Sequence, residues 1–314
     1  MSEFQLLRGI YSANAALLSR HRERVVIPPG DDLAQIHLRS PELLIGVDQM
    51  IEGRHFRSGT PIELVGRKAV ARNLSDIAAM AARPLACVVA VALPPSLDHE
   101  AIMALYEAVR ATAELFDCPL VGGDTGSSGD AAAPSAASAP LVISVTVVAT
   151  LPAGVPRAIT RSGARIGDGV FVTGKLGGSF GPDGLGRHLT FTPRVQESIA
   201  LARMLGERLH AMIDLSDGLG RDAGHLASGS GVAIRLDAAS IPTHDGCTWT
   251  NALGDGEDYE LCFTAEGPVP AEVEGLAITR VGEVIAADWG QALVSLGTAG
   301  GAIDVTSMGW EHGR

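Results

Sequence analysis

The sequence predicts an α/β (α+β) protein. Short apolar runs rich in Val, Ile and Leu read as buried strands, and amphipathic stretches between them read as helices. A Pro- and Gly-bearing stretch near the middle divides the chain in two.

The elements follow in order. Leu43 to Val47 reads as a strand, and Ile62 to Ala82 as a helix. Ala86 to Leu93 is a second strand. Asp98 has the character of an N-cap for a helix that places Ile102, Leu105, Val109 and Phe116 on one stripe. Leu141 to Ala149 and Val170 to Thr173 complete the strand candidates. Gly126 to Pro140 is low in complexity and rich in small residues, which makes it a loop. Leu151 to Gly169 holds two prolines and four glycines before the next strand. The domain boundary is therefore placed near residue 150, giving domains 1–150 and 151–314.

At 314 residues and 46% hydrophobic content, the chain can bury a sizeable core. The net charge of -12, with Lys68 and Lys175 as the only lysines, argues against nucleic acid or an anionic membrane as the main partner. Cys87, Cys118, Cys247 and Cys262 lack metal-ligand spacing and read as reduced thiols of a cytoplasmic protein. The N-terminus shows no signal-peptide pattern. The longest apolar runs, such as Leu85 to Leu93, fall well short of a membrane span.

Chemistry concentrates in short acidic phrases: Gly30-Asp31-Asp32, Val47-Asp48, Asn73-Leu74-Ser75-Asp76, Gly122-Gly123-Asp124 and Asp214-Leu215-Ser216-Asp217-Gly218. Three of them end apolar runs, at Asp48, Asp124 and Asp214. Ligands often bind beyond the carboxyl ends of strands, so these aspartates converge if the three runs are neighbours. Converging carboxylates repel one another unless cations neutralise them. Mg²⁺ suits that task, because it takes oxygen ligands and is usually held by one or two carboxylates plus substrate phosphates. Each phrase also has a purely structural reading. Asp31-Asp32 can form a turn, Gly122-Gly123-Asp124 a tight loop, and Ser75, Asp76 or Ser216 can cap a helix. Gly174-Lys175-Leu176-Gly177-Gly178-Ser179 superficially resembles a phosphate loop but lacks the GxxxxGK[ST] spacing.

Taken together and in order, the phrases resemble the thiamine-monophosphate kinase family of the aminoimidazole-ribonucleotide synthetase superfamily. The resemblance is carried by GDD at 30–32, VDQMIEGRHF at 47–56, NLSDIAAMAARP at 73–84 and LVGGDT at 120–125. It continues with RSGARIGD at 161–168, DLSDGLGRD at 214–222 and GEDYEL at 256–261, and so covers nearly the whole chain. It implies two α/β domains, the N-terminal one binding ATP and Mg²⁺ and dimerising through its sheet. It implies Mg²⁺ ligands at Asp32, Asp48, Asp76, Asp124, Asp214 and Asp217. ATP would lie at Tyr106, Gly123, Asp124, Arg161 and Ser216, and thiamine monophosphate at His55, Glu257 and Trp310. An aromatic face at Trp310 suits a cationic ring.

The implied reaction is ATP-dependent phosphorylation of thiamine monophosphate to thiamine diphosphate, with several Mg²⁺ ions and no protein nucleophile or base. The acceptor is already a phosphate oxyanion, so direct in-line transfer needs neither. The alternatives are another ATP-dependent enzyme of the superfamily and a non-catalytic protein that binds nucleotide or thiamine phosphate. Three features depart from the family pattern. Gly46 stands where Ser or Thr is usual, Asp255 adds a charge before GEDYEL, and the 126–140 loop is long.

Overall fold

The computed structural model describes residues 18–27, 35–38, 43–128, 139–288, 290 and 292–311. The chain forms two units. One comprises the described residues up to Leu74 together with Pro84–Thr150; the other comprises Ser75–Arg83 and Leu151 onward.

The first unit contains strands β1 (Val25–Ile27), β2 (Gln35–Ile36), β3 (Leu44–Ile51), β4 (Arg83–Leu93), β5 (Leu120–Ser127) and β6 (Val142–Thr150). Its helices are α1 (Ile62–Ala79), whose last residues group with the second unit, and α2 (His99–Leu115). The main sheet has the order β3-β6-β4-β5. Strand alternation buries Ile143, Val145 and Val147 of β6 and Val89 and Val91 of β4 on one face. The opposite face of β3 carries Ile45, 71% exposed, and Val47, 66% exposed, and Val88 of β4 is exposed as well.

Asp98 caps α2 as expected, its Oδ1 accepting the Ala101 amide at 2.8 Å. Leu105 and Val109 are buried along the anticipated stripe. α1 ends at Ala79, three residues before the expected Ala82. Ala81 takes a left-handed φ of 52°, and the Ala82 amide turns back to the Ile77 carbonyl at 3.2 Å.

The second unit holds β7 (Gly169–Thr173), β8 (Leu209–Asp214), β9 (Ala233–Asp237), β10 (Leu261–Ala265), β11 (Glu272–Val273), β12 (Leu276–Ile285), β13 (Val294–Thr298) and β14 (Gly301–Asp304). The sheet order is β14-β13-β9-β12-β7-β10-β8, with β11 paired to β12. Helices α3 (Val195–Leu205), α4 (Leu219–Ser230) and α5 (Trp249–Gly254) accompany it. α4 places Leu219, Ala223, Leu226 and Ala227 against Ile213, Ile234, Leu236, Val284 and Leu296, forming one continuous apolar core. β7, β8 and β10 are buried along their whole length, consistent with apolar runs that show no alternation.

Cys87, Cys118 and Cys262 are buried free thiols, and Cys247 is partly exposed. Burial pushes the Cys262 thiol well above the usual range. Among the described residues, no helix is long and apolar enough to cross a membrane.

Candidate functional site

Only one of the three aspartates expected at strand ends lies at one. β3 runs on through Asp48 to Ile51, and β5 runs on through Asp124 to Ser127; only β8 stops at its aspartate. β3 and β5 form opposite edges of the four-stranded sheet, and β8 belongs to the other sheet. Asp48 and Asp124 also face opposite ways. Asp48 meets Arg72 of α1, whereas Thr125 faces α2 through its 2.5 Å hydrogen bond with the Tyr106 hydroxyl. Its neighbour Asp124 therefore points to the opposite face. Apolar runs ending in Asp are thus an unreliable sign of strand ends, because a strand tolerates a carboxylate once it faces away from the core.

Tyr106 is buried and braces β5. Gly123 is required by close packing, since a Cβ there would overlap the Val89 carbonyl oxygen. His55 lies in the turn after β3. Its Nδ1 accepts the Ile51 amide at 3.0 Å, which places the ring proton on Nε2. The fully buried Lys68 donates to the His55 carbonyl at 2.8 Å. Asp32 lies outside the described residues, as does most of the 126–140 loop.

Asn73, Ser75 and Asp76 sit inside α1, so neither Ser75 nor Asp76 caps a helix. The buried Ser75 hydroxyl instead donates to Asp214 Oδ2 at 2.7 Å. Ser216 does not cap a helix either: α4 begins at Leu219 with Gly218 at its cap. The capping work falls to Asp222 in the first turn. Its Oδ2 accepts the amides of Asp217 at 3.0 Å and Gly218 at 3.1 Å, which fixes the loop that carries Ser216 and Asp217.

Burial, reinforced by Asp214 and Asp217, holds the Asp222 carboxyl well above the usual range. Asp217, Asp222 and His225 present ligand atoms within 4.8 Å of one another. Burial and the nearby Arg161 lower His225. This concentration of negative charge fits a divalent cation, which would relieve the repulsion among Asp214, Asp217 and Asp222.

Glu257 and Trp310 gather on the same loop. The Glu257 amide donates to the Ser216 carbonyl at 2.7 Å, and the Tyr259 amide to Leu215 at 2.8 Å. The Trp310 amide donates to the Asp217 carbonyl at 2.9 Å, and its side chain is 54% exposed. Glu257 and Tyr259 both adopt a positive φ of 53°, strain that the flanking contacts hold in place.

His188 was not anticipated from the sequence. It is buried, stacks on Phe180 with ring centroids 4.2 Å apart, and sets Nδ1 3.1 Å from Glu257 Oε2. No local motif marks it, because its partner lies far away in the chain.

The phosphate-loop lookalike is already occupied. Asp258 accepts the Gly177 amide at 2.9 Å and the Ser179 hydroxyl at 2.7 Å, and Asp255 accepts the Gly178 amide at 2.8 Å. Asp255, which the sequence left without a role, thus pins this loop and also takes a bond from Asn251. Glu260 accepts the Thr173 hydroxyl at 2.6 Å and pairs with Arg194. Burial pushes Asp258 up to about 6.

The two sheets and the carboxylate loops define a protein of the aminoimidazole-ribonucleotide synthetase-like class. In agreement, the family model "AIR synthase related protein, N-terminal domain" matches residues 30–151. Thiamine-monophosphate kinase of Salmonella typhimurium is 32% identical over 309 residues, covering 83% of this chain and 89% of that protein. The crystal structure of thiamine-monophosphate kinase from Stenotrophomonas maltophilia K279a superposes with a TM-score of 0.76 at 31% identity, covering 94% of this chain and 96% of that one. The structure of AaThiL complexed with AMPPCP and TMP gives 0.72 at 30% identity, over 95% of each chain. The chain belongs to the thiamine-monophosphate kinase family, enzymes that phosphorylate thiamine monophosphate.

Proposed function

We propose that this protein transfers the γ-phosphoryl group of ATP to thiamine monophosphate, releasing ADP and thiamine diphosphate. The observation that carries the reading is the assembly of Ser216, Asp217, Glu257 and Trp310 around one loop. It places acidic groups suited to a cation beside a carboxylate and an exposed indole suited to a cationic heterocycle. The relative crystallised with AMPPCP and TMP supports the same pair of substrates.

Asp32, Asp48, Asp76, Asp124, Asp214 and Asp217 are the residues that would hold Mg²⁺. Bound Mg²⁺ supplies charge neutralisation for the polyphosphate and the acceptor phosphate. The chain's own work is positioning. Tyr106, Gly123, Asp124, Arg161 and Ser216 seat the nucleotide, and His55, Glu257 and Trp310 seat the acceptor. The His55 Nε2–H would donate to a phosphate oxygen of the acceptor. An acceptor phosphate oxygen forms the new P–O bond in line as the bond to ADP breaks, so no protein nucleophile is needed.

We take residues 1–150 as the nucleotide-binding domain and 151–314 as its C-terminal partner domain. The enzyme works as a cytoplasmic homodimer, for which the exposed apolar face bearing Ile45, Val47 and Val88 is the candidate contact. The test is incubation of purified protein with ATP, Mg²⁺ and thiamine monophosphate, with products separated by chromatography. Folded protein that binds ATP yet forms no thiamine diphosphate would overturn the reading.

A further inference from the structure

We propose that Arg72 acts as a built-in cation at Asp48, so that this carboxylate is neutralised by the protein itself rather than by a divalent ion. This rests on the metal-dependent reading above and narrows it.

The Arg72 guanidinium lies 3.1 Å from Asp48 Oδ2, and its Nη1 donates to the Gln49 carbonyl at 3.4 Å. Its side chain is 10% exposed, against 31% for Asp48. A guanidinium cannot shed its charge, and burying it without a counter-charge is costly. A divalent ion on Asp48 would compete for the oxygens that satisfy Arg72 and would place two cations side by side in a partly desolvated site.

The strand offers the ion nothing in return. Gly46, on the same face of β3 as Asp48, contributes no oxygen from a side chain. Packing does not force that absence, because a Cβ at Gly46 would meet only Val147 Cγ2, at 3.8 Å. At Asp214, Asp217 and Asp222 the opposite holds: the carboxylates crowd one another, and the charge invites a metal. The two acidic centres therefore differ in kind.

The experiment counts ions. Mn²⁺ is titrated into the protein with saturating AMPPCP, and free Mn²⁺ is followed by electron paramagnetic resonance. In the unaltered chain, Asp48→Asn is expected to leave the number of tightly bound ions unchanged. Arg72→Met is expected to add one ion per chain, and Asp48→Asn in that background to remove it. Loss of an ion in the single Asp48→Asn variant would overturn the proposal. So would a folded Arg72→Met variant, checked by circular dichroism, that gains none. Failure of the phosphotransferase reading shows separately, as absence of thiamine diphosphate with these ion counts intact.

Discussion

The Ser75 hydroxyl donates to Asp214 Oδ2 at 2.7 Å across 139 residues of sequence, with both side chains buried. It ties the last residues of α1, which group with the second unit, to the end of β8. Ser75→Ala removes a charge-assisted bond, so the expected loss is about 1–3 kcal/mol of stability. Urea denaturation checks this, and an unchanged midpoint would contradict it. Metal affinity should fall as well, because Asp214 loses a contact that orients it.

His188 is expected to act on substrate binding through Glu257. His188→Leu should raise KM for thiamine monophosphate about tenfold, the equivalent of ~1.4 kcal/mol, with kcat changing less. His188→Asn, which retains a donor, should restore part of the loss. Steady-state kinetics at saturating ATP separates the two parameters. Equal falls in kcat for both variants would point to a structural role instead.

Stability should fall as pH rises from about 4 to about 6, through Asp258. Burial raises its folded-state value to about 6 from the ordinary 3.8, so the folded state holds the proton that the unfolded state has lost. The contribution is present in full below pH 4 and is lost as pH passes through 6. Its size is on the order of 2–3 kcal/mol. Asp258→Asn keeps an acceptor for Gly177 and Ser179 and should flatten this part of the stability–pH curve, as measured by denaturant titration across the range.

Two neighbouring glycines should respond differently to alanine. Gly123→Ala drives a Cβ into the Val89 carbonyl, whereas Gly122→Ala meets Val88 Cγ1 at an ordinary 3.5 Å. The first is expected to lower stability by about 1–3 kcal/mol and the second to change it little. Thermal melts of the two variants settle the comparison.

Much of the first unit was legible in the sequence. The Asp98 cap and the Leu105/Val109 stripe are local signals, as are the apolar cores of β3, β4 and β6. The strands after Thr173 were mostly missed apart from the run ending at Asp214; β10, for one, is short and buried throughout and carries no alternation to distinguish it. The acidic phrases marked Ser216 and Asp217, the family resemblance pointed to Glu257 and Trp310, and the four meet on one loop. What local phrases could not supply was direction. Whether Asp48 faces a helix, or whether Ser75 caps or bridges, depends on pairing across the fold. The duties of His188 and Asp255 were hidden for the same reason, because each acts on a segment distant in sequence.

The placement of the thiols gives this chain an internal clock. Cys247 alone is partly exposed, while Cys87 and Cys118 are sealed in the first unit and Cys262 in the second. A thiol-labelling reagent should therefore modify Cys247 in a fast phase and the others only as fast as their surroundings open. Peptide mapping of the slow phase would assign one opening rate to each unit. Repeating it with nucleotide and acceptor bound would show which unit the ligands hold shut.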